Sequence, residues 1–284
     1  MNKLKPLPEE WSGLLNNEQK EAIENINGPL LIIAGAGSGK TRVLTYRYAH
    51  LIKTYGINFE NVLAITFTNK AANEMKDRIS DLLNLELSPK WISTFHSLCV
   101  KMLRIHGHLI GFNNNFTIYD QSDSTKLVRN CMRDSDIDTK QYSPKRIQAH
   151  ISSLKNQRIL PGEAVEFAQS FFDVKVAEIY SSYQKKLMLA NSMDFDDLLI
   201  KAVELLETSD KSLNYWSSKF QYIMIDEYQD TNMVQYRLVE LLASKHKNIC
   251  VVGDSDQSIY AFRGADIRNI EEFESDFKLS LIHI

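Results

Sequence analysis

The sequence predicts an α/β protein, in which a mostly parallel sheet alternates with helices and an inserted helical subdomain interrupts this order. Four short apolar runs end in turn or polar residues, which is typical of strands buried on both faces: PLLIIAG at 29–35, NVLAITF at 61–67, FQYIMID at 220–226 and NICVVGD at 248–254. WIST at 91–94 is a weaker strand candidate. Helical patterns separate these runs, at 40–54, 70–83, 95–109 and 232–244. Such alternation indicates a doubly wound sheet.

The stretch 113–196 has a different character. It contains no comparable strand run, and its pattern is mostly helical, most clearly over 163–190. We therefore expect an α/β domain formed by 1–112 and 197–284, with an all-helical subdomain inserted at 113–196. A length of 284 residues fits two domains of roughly 150 residues each.

Composition places the chain among globular proteins. Apolar residues make up 44% and charged residues 24%, which excludes disorder over most of the length. No apolar run reaches the ~18 residues of a membrane-spanning helix, and MNKLKPLPEEW at the start has no apolar core of a secretory signal. Cys99, Cys131 and Cys250 stand too far apart for a zinc motif or a disulfide framework. We expect reduced thiols in a cytoplasmic protein.

Charge and chain end give two further expectations. A net charge of −3 argues against a wholly basic nucleic-acid coat but leaves room for a local basic groove. Residues 197–284 carry nine basic and fifteen acidic groups, so the acidic excess lies late in the chain.

The last run, FKLSLIHI at 277–284, is strand-like and lacks a following turn or helix. We expect the sequence to be a fragment of a longer protein.

A phosphate-binding loop is predicted where AGAGSGKT follows the first strand and precedes a helix. Its residues are Ala34, Gly35, Ala36, Gly37, Ser38, Gly39, Lys40 and Thr41. Glycines let backbone N–H groups turn toward phosphate, and the helix N-terminus adds its positive dipole end. Lys40 can reach the β- and γ-phosphates, and the Thr41 hydroxyl can ligate Mg²⁺. Ala34 stands where the strict pattern has glycine. The loop alone does not distinguish a kinase, GTPase, ATPase or motor.

Two acids end the strand in YIMIDEYQD. Asp226 suits coordination of Mg²⁺, and Glu227 can orient and deprotonate a water. This pair favours hydrolysis of a nucleoside triphosphate, because a kinase must exclude water. The carboxylates of DFDD at 194–197 fit a helix N-terminus better than a metal site.

A second polar group follows the next strand, in VVGDSDQSIYAFRGA. Gln257 can sense the γ-phosphate. Tyr260, Phe262 and Arg263 place two aromatic rings beside a cation, a combination that can stack bases and hold phosphates of single-stranded nucleic acid.

Taken in order, these blocks resemble the N-terminal part of superfamily 1 DNA helicases of the UvrD, Rep and PcrA type. The resembling blocks are LNNEQKEAI at 15–23, AGAGSGKT, ITFTNKAANEMKDRI at 65–79, STFHSL at 93–98, MDFDDLL at 193–199, IDEYQDTN at 225–232 and VVGDSDQSIYAFRGA at 251–265. They span nearly the whole chain.

The resemblance implies a RecA-like ATP-binding domain and roles for particular residues. Gln19 should read the adenine edge, and Arg42 should lie over the adenine. Contacts with single-stranded DNA are implied for Thr66, Phe67, Thr68, Asn69, His96, Ser97, Tyr260, Phe262 and Arg263. Gln257 should couple the γ-phosphate to the DNA-facing residues. His96 in isolation would be read as a structural histidine.

The resemblance also implies an activity. It implies a helicase that uses ATP and Mg²⁺ to move 3′ to 5′ along single-stranded DNA and to open duplex junctions. The family usually has tryptophan at the position of Phe262. The phenylalanine ring offers less area for stacking. The family's later motifs and second RecA-like domain are absent from the sequence, so we expect this chain alone to bind nucleotide weakly and turn over little. Three alternatives remain open: a translocase that displaces proteins without processive unwinding, a non-catalytic ATP-gated DNA-binding module, and a P-loop kinase.

Overall fold

The computed structural model describes residues 4–35, 37–86, 89–254, 273 and 280–284. The chain forms two compact units. The first consists of Met1–Leu98 together with Asp210–Ile284, and the second is Cys99–Ser209. The second unit extends beyond the predicted 113–196 at both ends.

The strands of the described residues follow the apolar runs of the sequence. In chain order they are β1 (Leu30–Ile33), β2 (Val62–Thr66), β3 (Ile92–Thr94), β4 (Thr117–Tyr119), β5 (Ser192–Asp194), β6 (Tyr222–Ile225), β7 (Ile249–Gly253) and β8 (Ser280–His283). Six of them form one sheet in the order β3-β2-β6-β7-β1-β8. Every pairing in that sheet is parallel. The predicted parallel α/β architecture is confirmed.

Helices account for most of the remaining described chain. In chain order they are α1 (Glu9–Ser12), α2 (Asn17–Glu24), α3 (Lys40–Lys53), α4 (Asn69–Leu83), α5 (Phe95–His106), α6 (Gln121–Asp134), α7 (Pro144–Asn156), α8 (Phe171–Leu189), α9 (Phe195–Thr208), α10 (Asp210–Lys219) and α11 (Met233–Ala243). No described helix is long and apolar enough to cross a membrane.

The large sheet is buried on both faces, as its apolar runs indicate. Leu30, Ile32 and Val252 belong to one core cluster, which α2, α3 and α4 complete. Since side chains alternate along a strand, the intervening Leu31 and Val251 face the opposite way, and they are buried too. This double burial explains why these strands carry continuous apolar runs. It also leaves only the strand ends open for polar chemistry.

The second unit is helical with one addition that the sequence did not predict. Its core is formed mainly by α6, α7 and α8. The all-helical prediction is wrong in one respect, because β4 and β5 form a short parallel pair. Each strand has three residues, too few to give a readable alternation. The helix predicted over 163–190 begins only at Phe171, where the hydroxyl of Ser170 accepts the N–H of Asp173 and caps it.

A buried ionic cluster ties α7 to the start of α9 within this unit. Lys155 Nζ lies 2.7 Å from Asp194 Oδ2 and 2.8 Å from Asp197 Oδ1. Asp194 caps α9 and accepts the N–H of Asp197. The prediction that DFDD starts a helix is confirmed. Tyr183 donates its hydroxyl to Asp194 at 2.8 Å, which adds α8 to the cluster.

Candidate functional site

The phosphate-loop sequence connects β1 to α3 at the carboxyl end of the sheet. The N–H of Ala34 donates to the carbonyl of Gly253 at 3.0 Å, which joins the loop to the end of β7. Ala34 is buried in the core cluster of the sheet. The core therefore accommodates its methyl group, and the departure from glycine at this position is explained. Ala36 lies outside the described residues.

Gly39 allows a close approach between this loop and α2. Its φ of 93° is left-handed, and a Cβ at this position would lie 3.0 Å from Gln19 Nε2. Gln19 Nε2 donates to the carbonyl of Ser38 at 2.9 Å, and Gln19 Oε1 accepts the N–H of Asn16 at 3.1 Å. The amide group of Gln19 is thus held against the loop, with one N–H and one lone pair left for a ligand. Arg42 lies exposed in the first turn of α3.

The predicted catalytic residues of the loop and of β6 converge. The Thr41 hydroxyl donates to Asp226 Oδ2 at 3.0 Å, and Lys40 Nζ lies 3.7 Å from Glu227 Oε2. β6 and β1 are separated in the sheet only by β7, so the carboxyl ends of these strands open at one edge. A cation, a hydroxyl and two carboxylates therefore meet at the N-terminus of α3, where the helix dipole favours an anion.

The two acids at the end of β6 are held in an electrostatically unfavourable arrangement. Burial first, and then the neighbouring Glu227, raise the pKa of Asp226 to about 6. Glu227 has a left-handed backbone with φ 50°, and its N–H donates to Asp226 Oδ1 at 3.1 Å. A non-glycine residue in this region costs about 1–3 kcal/mol, and such strain is concentrated at functional sites.

Three further residues of this site were not predicted from the sequence. Asp254 Oδ2 lies 3.1 Å from Lys40 Nζ, closer than Glu227 does. Gln229 contacts both Glu227 and Asp254. Asp230 lies next to them in a short 3₁₀ turn, and burial followed by the charge of Glu227 raises its pKa to about 6. The signal for Asp254 was present, because it follows an apolar strand as Asp226 does.

The two segments expected to contact DNA lie side by side. They follow the paired strands β2 and β3, where Thr66 is in register with Thr94. The rings of Phe67 and Phe95 contact edge to face, with centroids 5.9 Å apart. This brings the start of α4 next to the start of α5 at the edge of the sheet.

Exposure differs among the residues of the first segment. Thr68 and Asn69 are exposed and Phe67 is half-buried. Thr66 is only 1% exposed, and its hydroxyl donates to the carbonyl of Thr68 at 3.1 Å. The Thr68 hydroxyl caps α4 by accepting the N–H of Ala71. Thr66 therefore stabilises the turn at 66–68 through this hydrogen bond, and its side chain is buried.

The second segment is partly buried. His96 and Ser97 are half-buried in the first turn of α5, and Thr94 Oγ1 donates to Ser97 Oγ at 3.0 Å. Burial lowers the pKa of His96 below 6.5, so the imidazole is neutral at physiological pH. A neutral ring can stack or exchange hydrogen bonds but does not bind phosphate as a cation. The other predicted DNA contacts, Tyr260, Phe262 and Arg263, lie outside the described residues, as does Gln257, the predicted γ-phosphate sensor.

Comparison with known proteins relates this chain to DNA helicases, both by a family model and by similar individual proteins. A family model described as the UvrD/REP helicase N-terminal domain matches residues 15–278. The chain is 50% identical over 263 residues to a protein of Staphylococcus aureus described as ATP-dependent DNA helicase PcrA. A protein of Staphylococcus epidermidis with the same description is equally similar. Each alignment covers 93% of this chain and 36% of the relative, so the chain spans about a third of the length of these relatives.

Proposed function

This chain belongs to the UvrD/REP helicase family, and from that premise we propose that it is the ATP-binding part of an ATP-dependent DNA helicase. The proposed activity couples ATP hydrolysis to 3′-to-5′ movement along single-stranded DNA and to separation of the duplex ahead. The observation that carries the proposal is the convergence of Lys40, Thr41, Asp226 and Glu227 at the N-terminus of α3.

The phosphates of ATP are proposed to bind at the loop between β1 and α3. Lys40 would exchange its carboxylate partners for the β- and γ-phosphates. Gly35, Gly37, Ser38 and Gly39 would surround the phosphates with backbone N–H groups. The start of the loop is held by the Ala34–Gly253 hydrogen bond, and the N–H of Ser38, which donates to the carbonyl of Gly35 at 3.3 Å, would exchange that partner for phosphate.

Mg²⁺ fits the donor set at Thr41 and Asp226. The described residues contain no group of three or more His, Cys, Asp or Glu side chains arranged for a metal ion. However, Mg²⁺ is commonly held by one or two carboxylates together with substrate phosphates and waters. The Thr41 hydroxyl and the Asp226 carboxylate are hydrogen-bonded to each other at 3.0 Å, so both can face one cation. When bound, Mg²⁺ would neutralise phosphate charge.

Glu227 is proposed to activate the attacking water. It would accept a proton from the water as that oxygen attacks the γ-phosphorus and ADP departs. Its side chain is 38% exposed, so water can reach it. Its distance of 3.7 Å from Lys40 places it beside the group that would hold the γ-phosphate. Gln257 remains a predicted γ-phosphate sensor.

The adenine is proposed to lie between Gln19 and Arg42. The free N–H and lone pair of the Gln19 amide match the acceptor and donor on one edge of adenine. Arg42 is exposed next to the loop and is able to cover the ring.

Single-stranded DNA is proposed to cross the carboxyl ends of β2 and β3. Phe67, Thr68 and Asn69 would supply a ring and polar groups, and His96 and Ser97 would continue the path. Thr66 supports these contacts through the turn. Tyr260, Phe262 and Arg263 remain predicted stacking and phosphate contacts. Stacking tolerates any base, and phosphate contacts make the binding sensitive to salt.

We also propose which residues form each domain. Residues 1–112 and 197–284 would form the ATP-binding domain, and 113–196 the inserted subdomain. We propose a cytoplasmic location, with single-stranded DNA and duplex junctions as substrates.

The proposal is tested by the full-length gene product and its Glu227→Gln variant. We expect single-stranded DNA to stimulate ATP hydrolysis, and the variant to bind Mg·ATP normally while hydrolysing it about 10²–10⁴-fold more slowly. Retained hydrolysis in Glu227→Gln would remove its role as the base. An unaltered cellular function of that variant would favour the ATP-gated binding module.

Polarity and unwinding need separate measurements. A duplex with a 3′ single-stranded tail should be opened, and one with a 5′ tail should not. Efficient displacement of a bound protein with poor strand separation would favour the protein-displacing translocase. Transfer of the γ-phosphate to a small acceptor would indicate a kinase.

A further inference from the structure

Gln229 joins the acid at the end of β6 to the end of β7. Its Nε2 donates to Glu227 Oε2 at 2.9 Å. Its Oε1 accepts the N–H of Asp254 at 3.0 Å. Gln229 is 2% exposed and its bond to the Asp254 N–H is buried, whereas its bond to Glu227 is partly buried because that carboxylate is 38% exposed. Breaking the hydrogen bonds of a buried amide destabilises the folded protein, because it leaves buried polar groups without partners.

These contacts are part of a closed polar circuit. Lys40 Nζ lies 3.7 Å from Glu227 Oε2 and 3.1 Å from Asp254 Oδ2. Gln229 connects those same two acidic residues on the other side. The lysine that would hold the phosphates and the acid that would activate water are therefore both linked to the first residue after β7.

Gly253 makes this arrangement possible. A Cβ at Gly253 would lie 3.1 Å from Gln229 Oε1 and 3.5 Å from the backbone N of Gln229. That oxygen cannot yield easily, because the amide is held by Glu227 and by the N–H of Asp254. The absence of a side chain at 253 thus lets β7 approach the 3₁₀ turn.

We propose that Gln229 is a positioning residue, which holds the Glu227 carboxylate toward the phosphate loop and links it to the chain that leaves β7. This inference rests on the proposed ATP hydrolysis at Glu227. The chain after Asp254 leads into the residues predicted to sense phosphate and contact DNA.

The test uses the full-length gene product and a variant of similar shape, Gln229→Met. Nucleotide affinity is measured with a non-hydrolysable ATP analogue and Mg²⁺, and kcat is measured with saturating single-stranded DNA. We expect kcat to fall more than fivefold while the Kd for the analogue stays within threefold of the wild type. The matched control is Gln221→Met, at a half-buried glutamine just before the opposite end of β6; it should change neither quantity.

A second variant approaches the same contact from β7. Gly253→Ala should displace the Gln229 amide and lower kcat in the same way. The double variant should lose less than the product of the two single losses, since both changes break one contact. If Gln229→Met fails to fold, Gly253→Ala alone tests the positioning role of Gln229.

Two results overturn the inference. One is a kcat within fivefold of the wild type in the folded variants, and the other is a loss of nucleotide affinity in parallel with kcat. Failure of the proposed function looks different, because the wild-type protein itself would then show no ATP hydrolysis with single-stranded DNA.

Discussion

Lys40 Nζ lies 3.1 Å from a carboxylate oxygen of Asp254, a residue that is 3% exposed. The lysine proposed to bind phosphate is therefore paired with a buried carboxylate of the protein. If Lys40 holds the phosphates of ATP as proposed, they would compete with that carboxylate for its ammonium group.

Replacing Asp254 with Asn should lower the stability of the folded protein and raise its affinity for Mg·ATP. We expect the nucleotide-free protein to lose about 1–3 kcal/mol of unfolding free energy, because a buried charged hydrogen bond is removed. The affinity for Mg·ATP should rise, because phosphate no longer displaces a carboxylate from Lys40. Denaturant unfolding and titration calorimetry measure the two effects. Asp77→Asn, on the exposed surface of α4, is the control. Weaker nucleotide binding by Asp254→Asn would contradict competition.

Replacing Gln19 with Ala should reduce discrimination between ATP and GTP. Loss of one or two hydrogen bonds to adenine corresponds to about 1 kcal/mol, or roughly a fivefold change in the ratio of the two Kd values. Binding of both nucleotides, measured with Glu18→Ala on the same helix as a control, tests this. An equal loss for ATP and GTP would mean that Gln19 only supports the loop through Ser38.

Replacing Lys155 with Met should strongly destabilise the second unit. Burial alone would lower the pKa of Lys155, but Asp197 and Asp194 outweigh it and raise the pKa. Removing the lysine leaves two buried carboxylates without their cation, which costs about 3–5 kcal/mol. Thermal unfolding should show a much smaller effect for Lys175→Met, which breaks a surface pair with Glu178. Similar losses in the two variants would refute the special role of the buried cluster.

The stability of the first unit should depend on His50 as the pH falls. Burial is the main cause that lowers the pKa of His50 below 6.5 in the folded chain, with Glu24, Arg47 and Lys5 nearby. Histidine in the unfolded chain keeps a pKa of about 6.5, so below that pH the unfolded state takes up a proton that the native state does not. Stability is therefore retained above about pH 6.5 and lost as the pH falls.

His50→Phe isolates this effect, because a ring is kept beside Tyr55 while the titration is removed. The free energy of unfolding should fall less steeply between pH 6.5 and 5 in the variant, by up to about 1.4 kcal/mol per pH unit. Denaturant unfolding at several pH values measures the slopes. Parallel slopes for wild type and variant would show that another group is responsible.

Local sequence patterns were sufficient for much of the fold. β1, β2, β6 and β7 each carry a continuous apolar run, and a strand buried on both faces requires such a run. Where the pattern was short or mixed, it was insufficient. β4 and β5 have three residues each and went unpredicted, and helix α8 begins later than its apolar pattern indicates.

The sequence by itself determined the parts of the site that are contiguous: the glycine-rich loop with Lys40 and Thr41, and the acids Asp226 and Glu227 at a strand end. Backbone freedom and side-chain chemistry are local properties, so they can be read locally. Only the tertiary structure decided that Asp254 pairs with Lys40, that Gln229 bridges two strand ends and that Thr66 is buried. Those contacts depend on which strands become neighbours, and neither the strand order nor the distance between strand ends is contained in a local apolar pattern.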